Sequence, residues 1–186
     1  NTFVSKGNKN ITTKTIALYL KYLEEAFLVE KAKRYDIKGK KYIETPAKYY
    51  FVDIGIRNSL INFRQIEKNH IMENILFTEL KKRGFNVDIG VVEKRQSNGN
   101  GKKEYKQLEI DFVVNKGSEK YYIQSAYNIM DDDKRSQELQ SLLSVDDSFK
   151  KIVVVYDHFI KWQDEHGIIY MSIYDFLLNE NSLKEA

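Results

Sequence analysis

The chain has 186 residues, 42% of them hydrophobic, 13% aromatic and 31% charged, with a formal net charge of +3 and no cysteine. This composition excludes a disordered chain, which would lack the aromatic and β-branched residues, and it excludes disulfides and thiolate metal sites. No run of about 18 apolar residues occurs and the opening NTFVSKGNKN has no apolar signal stretch, so a protein without membrane spans is expected, most simply a cytoplasmic one.

The start at Asn1 rather than Met suggests a piece of a longer chain. Charge is unevenly spread: residues 131–186 hold six Lys or Arg against twelve Asp or Glu, a balance of −6 that leaves +9 for residues 1–130. A basic front half points to an acidic partner such as nucleic acid, or to an ordinary solvated surface.

From Thr12 to about Val29, the apolar residues Ile16, Leu20, Leu23 and Phe27 recur at helical spacing behind a Thr12 or Thr13 cap, which predicts an amphipathic helix. The following LVEKAKRYDIKGKKYIETPAKYYFVD predicts two or three antiparallel strands turning at Gly39 and Pro46. A helix followed by a basic hairpin matches the tail of a winged-helix module, with the preceding helices absent. Residues 65–83 predict a second helix with Met72, Ile75, Leu76, Phe77 and Leu80 on one face and Gly84 as its stop.

Beyond it the pattern predicts a strand from Val87 to Glu93, a polar loop SNGNGKK, and two strands in EIDFVVNKGSEKYYIQSAY. A helix capped by Asp131 to Asp133 and running to about Ser144 follows, then a strand in KKIVVVYD and a final strand and helix in IIYMSIYDFLLNE. Strands with interposed helices imply an α/β sheet.

Four carboxylates stand out. Glu73 falls within the apolar arc of its helix, where a carboxylate needs a partner, a metal or an exposed rim; Glu79 sits on the other edge of the arc, so periodicity leaves both open. Alternation places Glu109, Asp111 and Val113 on one face of their strand, opposite Ile110, Phe112 and Val114. In the next strand Tyr122, Gln124 and Ala126 share a face. If these faces coincide, Glu73, Glu109, Asp111 and Gln124 converge on an oxygen cluster suited to Mg²⁺. A polar sheet edge paired with Lys102, Lys103 or Lys106 is the alternative.

The order helix-Glu73, then Glu109-Ile-Asp111-Phe-Val-Val, then Tyr-Tyr-Ile-Gln124-Ser-Ala126 resembles the PD-(D/E)XK nuclease superfamily, whose motif is a helical Glu, a strand Asp and a strand (Asp/Glu)-x-Lys. More closely, YLKYLEEAFLVEKAKRYDIKGKKYIETPAKYYFVDIGIRN and ENILFTELKKRGFNVDIG, with EIDFVV and YYIQSAY, resemble the carboxy-terminal region of a prokaryotic AAA-type ATPase family, a domain of unknown function joined to a winged helix. The resemblance implies a partial winged helix over residues 1–60. It implies a restriction-endonuclease-like mixed sheet flanked by helices over residues 61–186, and an ATPase domain of the parent chain as partner.

The resemblance further implies Glu73, Asp111 and Gln124 as a degenerate catalytic set and Glu73, Glu109 and Asp111 as metal ligands. Gln124 stands where the second acidic ligand belongs and Ala126 where the lysine belongs, and an amide and a methyl replace neither. Lys134 or Arg135, and Glu138 as a carboxylate, are the downstream substitutes available.

Between Lys31 and Lys48 seven Lys or Arg meet only Asp36 and Glu44, with tyrosines interleaved. Lys14, Lys21, Lys33, Arg34, Lys38, Lys40 and Lys41 are therefore candidate phosphate contacts to DNA, though the same face suits an acidic protein. His70, His158 and His166 lack zinc-site spacing, and Trp162 is expected to pack in a turn. No Gly-rich phosphate loop is present, so ATPase activity is expected outside this stretch.

Overall fold

The structure is a computed structural model that describes residues 12–64, 66–97, 103–128 and 139–186. Helix α1 (Thr13–Glu25) leads into a hairpin of β1 (Val29–Asp36) and β2 (Lys41–Phe51), a short helix α2 (Ile54–Leu60) and helix α3 (Lys68–Lys82). Then come β3 (Asn86–Ser97), β4 (Lys103–Lys116), β5 (Glu119–Ala126), β6 (Lys150–Val155), β7 (Trp162–Gln163), β8 (Ile168–Ser172) and helix α4 (Ile173–Leu178). The mixed α/β class expected from the pattern is what forms.

Among the described residues, eight strands join one mixed sheet in the order β2-β1-β3-β4-β5-β6-β8-β7. Neighbours β1/β3, β5/β6 and β6/β8 run parallel and the other pairs antiparallel. The hairpin read as a wing is thus continuous with the sheet. Arg34, Tyr35 and Asp36 of β1 pair with Ile89, Gly90 and Val91 of β3, across the residue-60 boundary drawn from the sequence.

The sheet is covered on both sides. Met72, Leu76, Phe77 and Leu80 of α3 pack with Ile89, Phe112, Val114, Tyr121 and Ile123 on one face. Each such side chain is worth about 2 kcal/mol when fully buried. Ile110, Val113, Tyr122, Ala126, Val153 and Tyr170 form the second core, closed by Leu142 of the helical residues 139–143 and by Val145 just after them. Residues 131–138, including the expected Asp131–Asp133 cap, Lys134, Arg135 and Glu138, lie outside the described residues, as does most of the SNGNGKK loop.

Gly84 ends α3 as expected, in the left-handed region at φ +81° that a residue with a Cβ adopts at a cost. Trp162 forms the two-residue edge strand β7 rather than a turn, stacking on Tyr170 at 4.1 Å with the rings 4° apart. Two departures shape the site. Pro46 has no N–H to give a ladder, and the β1/β2 register jumps there: Ala32 faces Lys48, whereas Arg34 faces Ile43. On β4, Val113 pairs with Asp88 and Ile110 with Gly90, so three steps of β4 match two of β3 and one extra residue bulges at Asp111–Phe112.

The bulge corrects the expected faces. Phe112 and Val114 enter the α3-side core, but Val113 joins Ile110 in the opposite one, rather than lying with Glu109 and Asp111.

Helix α1 forms where the spacing predicts it, ending at Glu25, whereas α2 was not foreseen from the sequence; neither buries a side chain among the described residues, leaving Leu18, Tyr22, Phe27, Ile56, Leu60 and Phe63 exposed.

Candidate functional site

Six side chains from four elements meet where β1, β2 and β4 pass under α3. Ala32 and Lys48 are cross-strand partners, as are Glu30 and Tyr50, so alternation turns Lys48 and Tyr50 toward α3 together. Tyr50 stacks on Phe77 at 4.1 Å, and Glu73 lies one helical turn before Phe77. The Tyr50 hydroxyl consequently donates to Glu73 Oε1 at 2.6 Å, and Lys48 Nζ donates to the same oxygen at 2.8 Å. Lys48 Nζ also reaches Glu109 Oε1 at 2.6 Å, and the Arg34 guanidinium takes Glu109 Oε2 at 2.5 Å.

An ammonium therefore sits between the two glutamates, with the guanidinium as a second counterion. Burial lowers the Lys48 pKa, but the Glu73 charge and the bonds to Glu109 and Glu73 outweigh it and leave it raised. Burial and the Glu73 charge together push the Tyr50 hydroxyl far above its ordinary value, so it remains a donor.

Asp111 lies beside this network. The β4/β5 ladder ends at Phe112 opposite Ile123, and beyond it two side chains replace the missing rungs. Asp111 Oδ2 accepts the Ser125 N–H at 2.8 Å, and Gln124 Oε1 accepts the Asp111 N–H at 3.3 Å. The bulge frees that N–H from regular pairing, and bulges recur beside active sites for this ability to re-aim a side chain. Burial and the nearby Glu73 charge push the Asp111 carboxyl up to about 7, against the opposing pull of Lys48 and the Ser125 N–H.

This makes stability depend on pH with a definite sign. The folded carboxyl holds its proton more tightly than an unfolded one at 3.8, so folding takes up a proton between these values. Stability should fall as pH rises from about 4 through 7 and then level off. Asp111→Asn should flatten that slope and gain on the order of 2 kcal/mol over the native chain at pH 8, discounted for residual solvent. Parallel urea midpoints against pH for the two proteins would remove Asp111 as the cause.

Glu73 and Glu109 thus share the Lys48 ammonium, and Asp111 lies near enough to feel both of their charges. Gln124 shares the side of β5 whose neighbours Tyr122 and Ala126 enter the second core, and its amide oxygen is occupied by the Asp111 backbone. Glu79, the alternative to Glu73, pairs instead with Arg83 at 2.9 Å and with Lys82 at 3.3 Å. Arg34, expected to contact phosphate, turns inward to Glu109 and to the Pro46 carbonyl, because the Pro46 bulge exposes that carbonyl to it.

The other basic candidates stay on the outer surface. Lys21 pairs with Glu25 at 3.5 Å, Lys38 reaches the Glu93 carbonyl, and Lys33 lies over the Tyr42 ring. Lys14, Lys40 and Lys41 are exposed. Sequence reasoning missed Lys48, although its alternation with Tyr50 in KYYF was a usable signal. It also missed Asn74, whose buried amide bonds both the N–H and the C=O of Phe51 and pins β2 to α3.

The donor set does not fit Mg²⁺ as it stands. Both Glu109 oxygens are occupied by cations, Glu73 Oε1 by two donors and Asp111 Oδ2 by a backbone N–H. Among the described residues no three His, Asp or Glu are grouped to hold a metal ion. Mg²⁺ prefers several waters and unshielded carboxylate oxygens. A cavity of about 300 Å³ opens beside the network, lined by Lys48, Glu73, Arg57 and His70 among others.

Residues 4–67 match the model of a Domain of unknown function (DUF8612), a stretch that ends before Glu73. Over 164 residues, 88% of the chain, the sequence is 37% identical to an uncharacterised protein of Haemophilus influenzae and covers 37% of it. Over 132 residues, 70% of the chain, it is 30% identical to an uncharacterised protein of Methanocaldococcus jannaschii and covers 26% of that one. The chain thus spans well under half the length of the curated relatives it matches. No solved structure matches it, and no described helix is long and apolar enough to cross a membrane. Residues 4–67 are thus similar to DUF8612, and the chain is similar to uncharacterised proteins of these two organisms.

Proposed function

We propose that this chain is the nucleic-acid- or partner-binding carboxy-terminal region of an AAA-type ATPase, built on a restriction-endonuclease-like sheet whose metal site has fallen out of use. The observation that carries this reading is the Lys48 ammonium lodged between Glu73 and Glu109, at 2.8 and 2.6 Å. It neutralises the carboxylates that would otherwise attract a divalent cation, while Ala126 offers no ammonium on β5. Recognition then rests on the basic outer surface of α1 and the hairpin. The assignment to an AAA-type ATPase is supported by the sequence resemblance, and the relatives' greater length leaves room for a separate ATPase domain.

A second reading draws on the same residue. Lys48 brings to the cluster the kind of cation that Ala126 cannot supply, so a Mg²⁺-dependent endonuclease with a rearranged site is the competitor. Calorimetric titration of Mg²⁺ and Mn²⁺ into the native chain and Asp111→Ala, with plasmid nicking on the same samples, separates them. The recognition reading expects no Asp111-dependent heat and no nicking. Metal binding and nicking that both vanish in Asp111→Ala would replace it with the endonuclease.

A further inference from the structure

The sheet face turned away from α3 carries a trough that the acidic cluster does not touch. Two hollows, of about 560 and 400 Å³, share Tyr35, Lys120 and Phe149 in their walls. The first is bounded by Lys38 and Lys40 from the turn of the hairpin, the second by Tyr42 of β2. Tyr35 and Tyr42 meet edge to face at 5.5 Å, and Tyr42 and Phe149 are 59% and 41% exposed, so neither ring is spent on the core.

Cations stand against these rings. Lys33 Nζ lies 5.5 Å from the Tyr42 centroid and Lys120 Nζ 4.8 Å from that of Phe149. None of Lys33, Lys38, Lys40 and Lys120 forms an ion pair among the described residues, whereas most of the neighbouring acids are turned into local hydrogen bonds that hold them in place but leave their charge. Asp88 accepts from the Tyr42 hydroxyl, Asp36 from the Gly39 N–H, Asp147 from the Tyr122 hydroxyl and the Phe149 N–H, and Glu119 pairs with Lys184. Asp146 also stands on this rim, and Glu119 Oε2 has no hydrogen-bond partner among the described residues.

We infer that this trough binds single-stranded nucleic acid, with Tyr42 and Phe149 stacking on unpaired bases and Lys33, Lys38, Lys40 and Lys120 following the phosphates. The inference rests on the recognition reading above and gives it a substrate class and a place. Exposed ring faces in a concave surface reach bases only when those bases are unpaired, and cations interleaved with aromatic rings track a single-stranded backbone. A duplex would hide its bases from these rings and would call instead for a convex element entering a groove. Lys120 comes from β5, so the surface is wider than the hairpin whose charge run drew notice in the sequence.

The test is fluorescence anisotropy on the whole chain with a labelled oligothymidine of about 12 nucleotides, a length within the usual range for one such groove, beside a mixed-sequence duplex of equal length. Single strand should bind more tightly than duplex. Tyr42→Ala and Phe149→Ala should each weaken it by about tenfold, as stacking losses do, and Tyr42→Phe should preserve it because the ring rather than the hydroxyl is used. Lys40→Ala should shallow the salt dependence, and unchanged thermal midpoints will confirm that these exposed substitutions leave the fold intact. Duplex bound as well as single strand, with Tyr42→Ala and Phe149→Ala unaffected and Lys14→Ala or Lys21→Ala weakened, would overturn the trough while sparing nucleic-acid recognition. Binding of neither probe would overturn both and leave an acidic protein as the partner.

Discussion

Lys48→Ala should lower the unfolding free energy by about 3 kcal/mol, because it leaves Glu73 with no counterion but the neutral Tyr50 hydroxyl and Glu109 with Arg34 alone. Breaking a buried pair costs about 3–5 kcal/mol, and the lower end applies since Lys48 and Glu109 retain 28% and 32% side-chain exposure. For a chain of this size the thermal midpoint should drop by roughly 6–12 °C. The more discriminating outcome concerns metal. Without the ammonium, Glu73 and Glu109 repel each other beside Asp111, and millimolar Mg²⁺ should restore part of the lost stability to the variant while leaving the native midpoint unmoved. A variant equally unstable with and without Mg²⁺ would show that the carboxylates no longer define a metal site even when uncovered. A loss within a few tenths of a kcal/mol would show that the network is solvated and unimportant.

Arg83→Ala is expected to cost as much or more, about 3–5 kcal/mol, far from any candidate chemistry. The Arg83 side chain is 7% exposed and anchors the end of the chain. Its Nε donates to Glu79 at 2.9 Å, one terminal nitrogen to Ser182 Oγ at 3.0 Å, the other to the Phe176 carbonyl, and the plane lies 4.4 Å from the Phe176 ring. Alanine leaves the Glu79 carboxylate with only the exposed Lys82, and leaves Ser182 Oγ and the Phe176 carbonyl with only their long bond to each other. Lysine rescues little, since one ammonium cannot reproduce a planar fork. Limited proteolysis should cut beyond residue 172 in the variant under conditions that leave the native chain whole. If that segment stays resistant and the urea midpoint holds, the docking must come from the apolar contacts of Phe176 and Leu183 alone.

Helix α3 was legible because five apolar side chains at helical spacing and a terminal glycine say the same thing. The candidate carboxylates Glu73, Glu109 and Asp111 were legible too, since charges set among core residues demand an account. The face assignment failed at Val113 because a bulge adds one residue without changing local composition, and alternation assumes that none is added. Lys48 was missed for a related reason. Its place depends on which strands the hairpin joins, and the β1/β3 pairing links residues more than fifty positions apart. Arg34 looked like one more surface cation in a basic run until the Pro46 bulge turned it inward. Local pattern carried the elements, while long-range pairing decided which charges meet.

The outer strand β2 has a further bearing on how the protein behaves at high concentration. A sheet of eight strands ends in two rows of backbone groups able to recruit a neighbouring molecule, and long regular edges are how such sheets aggregate. Here one edge is a strand of two residues, β7, and the other is interrupted where Pro46 breaks the register. Neither offers the straight run of donors and acceptors that an incoming strand needs. The kink that hands a carbonyl to Arg34 therefore also guards the sheet against growing from one molecule into the next.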